Sequence, residues 1–254
     1  MFVNQFNVLG VPPTPIVLTT ADWQKFLGRD TASAGTVQLP YAGQVVIATD
    51  PIYGEAAFML AFGVAGLQIG DAVMIGAAYA TTRTLAATRG LVGISMAPNT
   101  DPTALSWFAV RGQVPARMAA SAVNAPLYTS ATAGSLSSTV VATNGVTGAV
   151  GLTALAAIIG SKVVSTTNTS NLLAVGNIDG LYVGAGVTGT GIPAATTITA
   201  IGYGGLMLGL GNTIPGFVTL SANCTATASI TGLFAHGAAF ALANLAHPVA
   251  ANLG

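Results

Sequence analysis

Short runs of β-branched and aromatic residues recur along the chain, separated by glycine, proline, asparagine and aspartate. Runs of this kind, bounded by turn-forming residues, are typical of short antiparallel strands. They predict strands at residues 45–47, 57–62, 72–75, 91–94 and 107–110. The fold class is therefore predicted to be mainly β, with an antiparallel β-barrel or sandwich as the body of the protein.

A second pattern begins beyond Ser161, where threonine, glycine and alanine replace most of the large side chains. Apolar and polar positions alternate with a period of two at residues 197–201 and again at residues 217–220. Because successive side chains of a strand point to opposite faces, this alternation predicts aliphatic residues facing inward and threonines facing outward. The pattern indicates a second β module whose surface is polar without being charged.

Three other segments follow neither of these patterns. Residues 1–20 carry no charge, and three prolines between positions 12 and 15 favour an extended backbone, so we interpret them as an arm. A short helix is predicted at residues 21–27, with Thr20 as its N-cap. Residues 151–159 fit either a buried helix or a strand, since periodicity does not separate short apolar runs, and a strand is slightly favoured.

The chain is accordingly divided into three parts. An extended arm is expected at residues 1–20, a β-barrel body at residues 21–160, and a Gly/Thr-rich β module at residues 161–233. Residues 234–254 are expected to return to the body and complete the barrel. We therefore predict a mainly β protein with an amino-terminal arm and two β units.

Charged residues are scarce and unevenly placed. Seven basic and seven acidic residues make up 6% of the 254-residue chain, whereas a soluble domain carries about 25%. Twelve of them lie between Asp22 and Arg117, and only Lys162 and Asp179 follow. So few charges cannot cover a soluble monomer of this length with the usual mixed, charged surface. Much of the surface is therefore expected to be covered by partners.

The same composition excludes several classes of protein. Disorder is excluded because 52% of the residues are hydrophobic and the net charge is zero. A nucleic-acid partner is not expected, because the basic residues are scattered instead of clustered against phosphates. A membrane partner is not expected either, since the longest uncharged apolar run, residues 146–160, is shorter than the roughly 20 residues that span a bilayer.

Residues able to bind a metal or attack a substrate are few. His236 and His247 are separated by a spacing that fits neither the helical nor the strand arrangement of paired metal ligands, so both are expected at a rim or interface. Cys224, the single cysteine, is expected to be a small buried hydrophobe. The prediction is that the chain is not an enzyme, with no catalytic, cofactor-binding or metal-binding residue and no cofactor.

Two patterns that suggest chemistry have a better structural explanation. Asp50, Asp71 and Asp101 stand beside proline or glycine, which favours turn positions over paired catalytic carboxylates. The sequence GAGVTG at residues 184–189 fits the dinucleotide-binding pattern, but that pattern must open a helix. Thr-Gly-Ile-Pro and β-branched residues follow it, so turn glycines in a β structure are the expected reading.

Several segments resemble the head decoration, or cement, proteins of tailed bacteriophages. The resemblance rests on four runs that follow one another in that family's order: GDAVMI (70–75), LVGISMA (91–97), WFAVRGQV (107–114) and APLYT (125–129). The ending ANLAHPV (243–249) resembles the family's final strand, with His247 where many members have a basic residue before the proline.

The second module also resembles a β module that is common in phage structural proteins. Its motifs are VTGTGIPA (187–194), followed by Ala195 where a second glycine is usual, and VTLSANCTAT (218–227). Together the resemblances imply a non-enzymatic structural protein of the virion, a homotrimer on the capsid surface. They imply the major capsid protein and copies of itself as partners.

The uncharged arm is the segment best suited to capsid attachment, because the cores of protein interfaces are depleted in charge. We predict that it lies extended on a neighbouring subunit and adds an edge strand there. The predicted contact residues are Phe2, Val3, Phe6, Val8, Leu9, Val11 and Ile16.

Three alternatives stay open on the sequence. A head or tail fibre component that adheres to host-surface glycans would expose aromatic side chains such as Tyr182, Tyr203 and Phe217 at a tip. A glycan-degrading enzyme would need two of the early carboxyls about 5 to 10 Å apart across a groove. A porin-like β protein would need alternating strands of about 10 residues with aromatic girdles, and the aromatic residues show no such banding.

Overall fold

The computed structural model describes residues 3–4, 42–85, 90–141, 144–203 and 216–246. Within these residues the protein consists of two β-sheets, a single 3-10 turn at Ala77–Tyr79 and no α-helix. The mainly β fold class is therefore confirmed. The helix predicted at residues 21–27 and nearly all of the predicted arm lie outside the described residues.

The first sheet contains eleven strands from both ends of the chain. They are β1 (Val3–Asn4), β2 (Val45–Asp50), β3 (Gly54–Phe62), β4 (Ala72–Ile75), β5 (Thr81–Arg83), β6 (Leu91–Ser95), β7 (Leu105–Ala120), β8 (Ala125–Thr129), β9 (Leu136–Ser137), β10 (Gly145–Gly151) and β17 (Phe240–Ala246). The spatial order is β1-β2-β3-β7-β17-β10-β8-β9. The other three strands branch from β7, because β6 pairs with β7, β4 with β6, and β5 with β4.

Strand β7 is the longest element and takes part in two regions of this sheet. Its first half pairs with β3 and its second half pairs with β17. Between the two halves the register with β3 shifts, and Gly112 adopts a φ of +98°. A Cβ at Gly112 would lie 2.4 Å from the carbonyl oxygen of Glu55, so only glycine fits this bend. The sequence predicted only residues 107–110 of this strand.

A closed five-stranded β-barrel forms around the second half of β7. The ring runs β7-β17-β10-β8-β9, and β9 returns to β7 through a parallel pairing of Leu136 with Met118. Val114, Met118, Leu127 and Leu136 pack inside it, together with Leu245 of β17. Closure removes the free edges that an open sheet of these short strands would expose.

The second sheet contains six strands and curls around its own core. They are β11 (Ile158–Thr166), β12 (Leu172–Val175), β13 (Gly186–Thr188), β14 (Ile198–Tyr203), β15 (Gly216–Leu220) and β16 (Ala228–Ala235). The spatial order is β13-β16-β11-β12-β15-β14, and each neighbouring pair is antiparallel. Leu173, Val218 and Phe234 are fully buried on the inner side.

The chain leaves the first sheet after β10 and returns to it at β17. Residues 151–159, for which a strand was slightly favoured, form the end of β10, a turn and the start of β11. Ala156 has a φ of +54° in this turn, which interrupts any continuous strand. The backbone N–H of His236 donates to the carbonyl of Ala157 at 2.8 Å, so the outgoing and returning connections lie side by side.

Candidate interaction surface

The outer side of the second sheet exposes five large apolar side chains. They are Ile158, Val163, Leu172, Phe217 and Leu233. The strand register places all five on the same side, since residues paired across antiparallel strands share a face. We call this side the uncharged face. Half of the ten exposed large hydrophobic residues among the described residues lie on it.

Serine and threonine fill most other positions of the uncharged face. Leu233 stands between Ser161 of β11 and Thr188 of β13, and Val163 stands opposite Thr231. Lys162, the one charged residue in these six described strands, is paired with Gly232 on the inner side. Its Nζ donates to the carbonyl of Asp179 at 2.8 Å, and burial lowers the pKa of the lysine. The uncharged face is therefore without an ionic group.

The alternation predicted for the second module is confirmed at residues 217–220. Val218 and Leu220 face inward, as expected from the pattern. Phe217, an aromatic residue, shares the outer side with Thr219 and is 43% exposed. The exposed ring is what the alternation left open, because a period of two assigns alternate positions to one face without saying which face is covered.

A buried aromatic cluster joins the two sheets. Tyr53, in the turn between β2 and β3, donates its hydroxyl to the carbonyl of Gly180 at 2.6 Å. The His236 ring lies 6.5 Å from the Tyr53 ring and 5.8 Å from the Tyr182 ring, between centroids. The Tyr182 ring in turn lies 5.3 Å from that of Phe240, at the start of β17. We call these rings the junction cluster.

The protonation state of the junction cluster follows from its burial. Burial lowers the pKa of His236 to about 4 and raises the pKa of both Tyr53 and Tyr182 above the ordinary tyrosine value. Tyr182 accepts the N–H of Gly237 at 3.3 Å, and its hydroxyl lies 3.0 Å from Nδ1 of His236. In the neutral tautomer that carries its proton on Nε2, the imidazole accepts a hydrogen bond from the Tyr182 hydroxyl at Nδ1. The junction cluster therefore consists of uncharged rings, with a hydrogen bond between Tyr182 and His236.

The junction cluster corrects two expectations from the sequence. His236 was expected at a rim or interface, yet it is buried between the two sheets of one chain. Tyr182 is half-buried and bonded to His236, so it is not free to form an adhesive tip. The positions of His247 and of the Tyr203 side chain lie outside the described part of the structure.

Asp71 forms a buried ionic cluster that the sequence did not indicate. Its side chain is fully buried, with Oδ2 2.8 Å from Nε of Arg83 and Oδ1 3.4 Å from a terminal guanidinium nitrogen of Arg117. The backbone N–H of Gln68 also donates to Oδ2 at 3.0 Å, consistent with the predicted turn. Burial raises the pKa of Asp71, opposed by this hydrogen bond and by the two arginines. The carboxylate holds β4, β5 and β7 together.

Three other acidic residues in the described part of the chain, Asp50, Asp101 and Glu55, also form contacts that stabilise the fold. Asp50 Oδ1 accepts the backbone N–H groups of Ile52 and Tyr53 at 2.7 and 3.1 Å, which confirms its predicted turn position. Asp101 Oδ1 accepts the N–H and hydroxyl of Thr103, and these hydrogen bonds lower the pKa of Asp101. Glu55, on the surface, pairs with Arg111 at 2.9 Å.

The remaining candidate groups are placed as follows. Cys224 is buried within the core of the second sheet, as expected, and burial raises its pKa. Gly189 and Ile192 form an isolated bridge around Gly191, which has a φ of +77°, so residues 184–189 lead into a turn and not into a helix. Among the residues that the structure describes, no three His, Cys, Asp or Glu side chains are grouped to hold a metal ion.

Of the predicted contact residues, only Val3 belongs to the described part of the chain. Together with Asn4 it forms β1, which pairs antiparallel with β2 of the same chain through Val3 opposite Thr49. Phe2, Phe6, Val8, Leu9, Val11 and Ile16 lie outside the described residues. Strand β1 is therefore an edge strand of the first sheet, and the strand it pairs with belongs to the same chain.

Comparison with protein-family models, with curated proteins and with solved structures finds no match to this chain. Within the described residues, no helix has the length and apolar character needed to cross a bilayer.

Proposed function

We propose that this chain is a structural virion protein that decorates and stabilises a phage capsid through contacts between subunits. Its partners are the major capsid protein and copies of itself in a homotrimer, and its place is the capsid surface. It binds no cofactor, nucleic acid or membrane, and it is not an enzyme.

The uncharged face is the observation that carries this proposal. Five large apolar side chains and several hydroxyl groups cover the outside of a sheet whose inner side already packs its own core. Exposed apolar patches on a rigid scaffold mark sites of protein association. An accessory capsid protein works by adding such contacts, and the interface cores of stable assemblies are depleted in charge.

The placement of the titratable groups also supports a structural role. The described acids of the first sheet form turns or ion pairs, and His236 is buried between tyrosines. A general acid or base must reach the substrate, and a buried or fully engaged group does not. The resemblance to phage decoration proteins points to the same class of function.

Fractionation of virus particles tests the proposal. Antibody against the recombinant chain is used to follow it through a density gradient of phage lysate from the bacterial strain that carries its gene. We expect the chain to band with particles that contain the major capsid protein. Recombinant chain added to particles stripped of it should restore occupancy and resistance to heat. A chain that stays with the free proteins, while the major capsid protein bands, overturns the proposal.

A glycan-binding fibre component is the second candidate. Phe217 favours it, because an exposed aromatic ring among hydroxyl side chains is a typical platform for a sugar. Binding of the recombinant chain to host cells and to a glycan panel distinguishes the two. Binding that Phe217→Ser abolishes, without banding on particles, favours the fibre role.

A further inference from the structure

We propose that the junction cluster is an acid-sensitive joint, which opens in mild acid so that the second sheet turns relative to the first while both sheets stay folded. The direction in which the uncharged face points then depends on pH. This inference goes beyond the proposed function, because it concerns a movement within a single chain and requires no capsid.

The two sheets bury separate hydrophobic cores. Phe58 and Leu136 belong to a core of the first sheet, and Leu173 and Phe234 belong to the core of the second. Among the described residues, none of the three core clusters combines buried side chains from both sheets. Units that bury their own cores and share a small interface are expected to move relative to each other. The orientation of the two sheets therefore depends on the contacts at their boundary.

The junction cluster provides such contacts at the point where the chain passes between the sheets. Tyr53, in a turn of the first sheet, donates its hydroxyl to the carbonyl of Gly180, which follows β12 of the second. His236 lies in the connection from β16 to β17, with its ring beside those of Tyr53 and Tyr182. The Tyr182 ring also contacts that of Phe240, at the start of β17. A turn of one sheet relative to the other therefore separates these rings.

A proton on His236 meets no counter-charge from the rings around it. The titratable side chains that contact the imidazole are Tyr53 and Tyr182. Burial raises the pKa of both tyrosines, so neither carries a negative charge. A buried charge without a partner is strongly unfavourable, and the closed joint therefore favours the neutral histidine.

The charged residues that border the joint do not compensate a proton on the imidazole either. They are Asp50, Arg117, Lys162 and Asp179. Asp50 accepts two backbone N–H groups of its own turn, and Arg117 pairs with Asp71. Lys162 donates to the carbonyl of Asp179. Burial lowers the pKa of His236, and none of these carboxylates raises it.

The direction and size of the pH effect follow from the two states of the joint. The pKa of His236 is about 4 in the closed joint and returns toward 6.5 when opening brings the ring into water. The open state therefore binds more protons, so the closed state is fully favoured above pH 6.5 and loses this advantage as the pH falls toward 4. With these values, the equilibrium constant for opening increases about 25-fold between pH 7.5 and pH 5.

Hydrogen exchange of the full-length chain measures this opening, because exchange detects rare openings of single regions. The reporters are two amides at the joint. The N–H of Gly237 is bonded to the Tyr182 hydroxyl, and that of Ala156 is bonded to the Phe240 carbonyl at 3.1 Å. After correction for intrinsic exchange rates, we expect both to open at least tenfold more often than the amides of β3, and about 25-fold more often at pH 5 than at pH 7.5.

His236→Asn is the matched variant for this measurement. Its side-chain oxygen still accepts a hydrogen bond, but the amide does not titrate, so its joint should open about equally often at both pH values. If the joint amides are as well protected as those of β3, the joint does not open separately and the proposal is wrong. It is equally wrong if the wild type and the variant respond alike to pH.

A disulfide across the joint tests the movement without changing His236. A Cβ at Gly180 would lie 3.0 Å from the Cβ of Ile52, close to the separation that a disulfide requires. In the Ile52→Cys, Gly180→Cys chain at pH 5, we expect oxidation to slow exchange of the joint amides at least tenfold compared with the same chain reduced. Exchange that oxidation leaves unchanged, or a disulfide that does not form, would overturn the proposed movement.

Discussion

The hydroxyl of Tyr182 lies 3.0 Å from Nδ1 of His236, inside the cluster of rings that joins the two sheets. The same hydroxyl accepts the N–H of Gly237 at 3.3 Å. Burial of the ring disfavours its charged form and lowers the pKa of His236 to about 4, so the imidazole is neutral near pH 7. Tyr53 closes the cluster from the first sheet, through its contact with Gly180.

Stability is predicted to fall in mild acid because of His236. Its pKa is about 4 in the folded chain and about 6.5 when unfolded, so the unfolded state binds more protons between these values. The contribution to stability is complete above the unfolded pKa and is lost as the pH falls toward the folded pKa. We expect the free energy of unfolding to decrease by about 2 kcal/mol between pH 7.5 and pH 5.

Urea unfolding at several pH values measures this dependence. His236→Asn has no group that titrates at this position, so its stability should change much less across the same range. A wild type with the same flat profile as the variant would contradict the assignment.

Removal of the buried carboxylate at Asp71 is predicted to be severe. Asp71→Asn leaves Arg83 and Arg117 without their counter-charge, and breaking a largely buried pair costs about 2 to 4 kcal/mol. Glu55→Gln is the matched control, because it breaks the exposed pair with Arg111, which contributes about 0 to 1 kcal/mol. Thermal and urea unfolding measure both variants, and equal effects would contradict the difference in burial.

The bend in β7 is predicted to require glycine at position 112. Gly112→Ala combines a positive φ with a Cβ 2.4 Å from the Glu55 carbonyl oxygen, so backbone must move. We expect a loss of about 3 kcal/mol or more, or failure to fold. Gly54→Ala also has a positive φ, but nothing lies within 4 Å of the added Cβ, so it should cost about 1 kcal/mol. A Gly112→Ala variant as stable as Gly54→Ala would refute the steric argument.

Deletion of residues 2–16 is predicted to reduce capsid attachment. The segment is uncharged, and β1 shows that part of it can pair at a sheet edge. Occupancy of the truncated chain on stripped particles should fall at least tenfold compared with the full chain, whereas its unfolding temperature changes little. Undiminished occupancy would show that the arm is not the attachment segment.

Seven of the seventeen described strands could be predicted from the sequence, because alternation and turn residues act locally. The predicted strand at residues 72–75 matches β4, and residues 217–220 match all but the first residue of β15. The scarcity of charge predicts that partners cover much of the surface, which stays a prediction; Lys162 lies on the inner side of the second sheet, away from the uncharged face. These features depend only on composition and on residues that are close together in the chain, and both can be read from the sequence.

Other features arise only when distant segments meet. The parallel pairing of Met118 with Leu136 closes the barrel, and nothing local to either residue indicates it. The burial of His236 depends on Tyr53, which lies far away in the chain and belongs to the first sheet. The ionic cluster of Asp71 likewise draws on separate strands. Period and composition determined which segments are strands, whereas long-range packing decided which sides of them are buried, which charges pair and which face stays open.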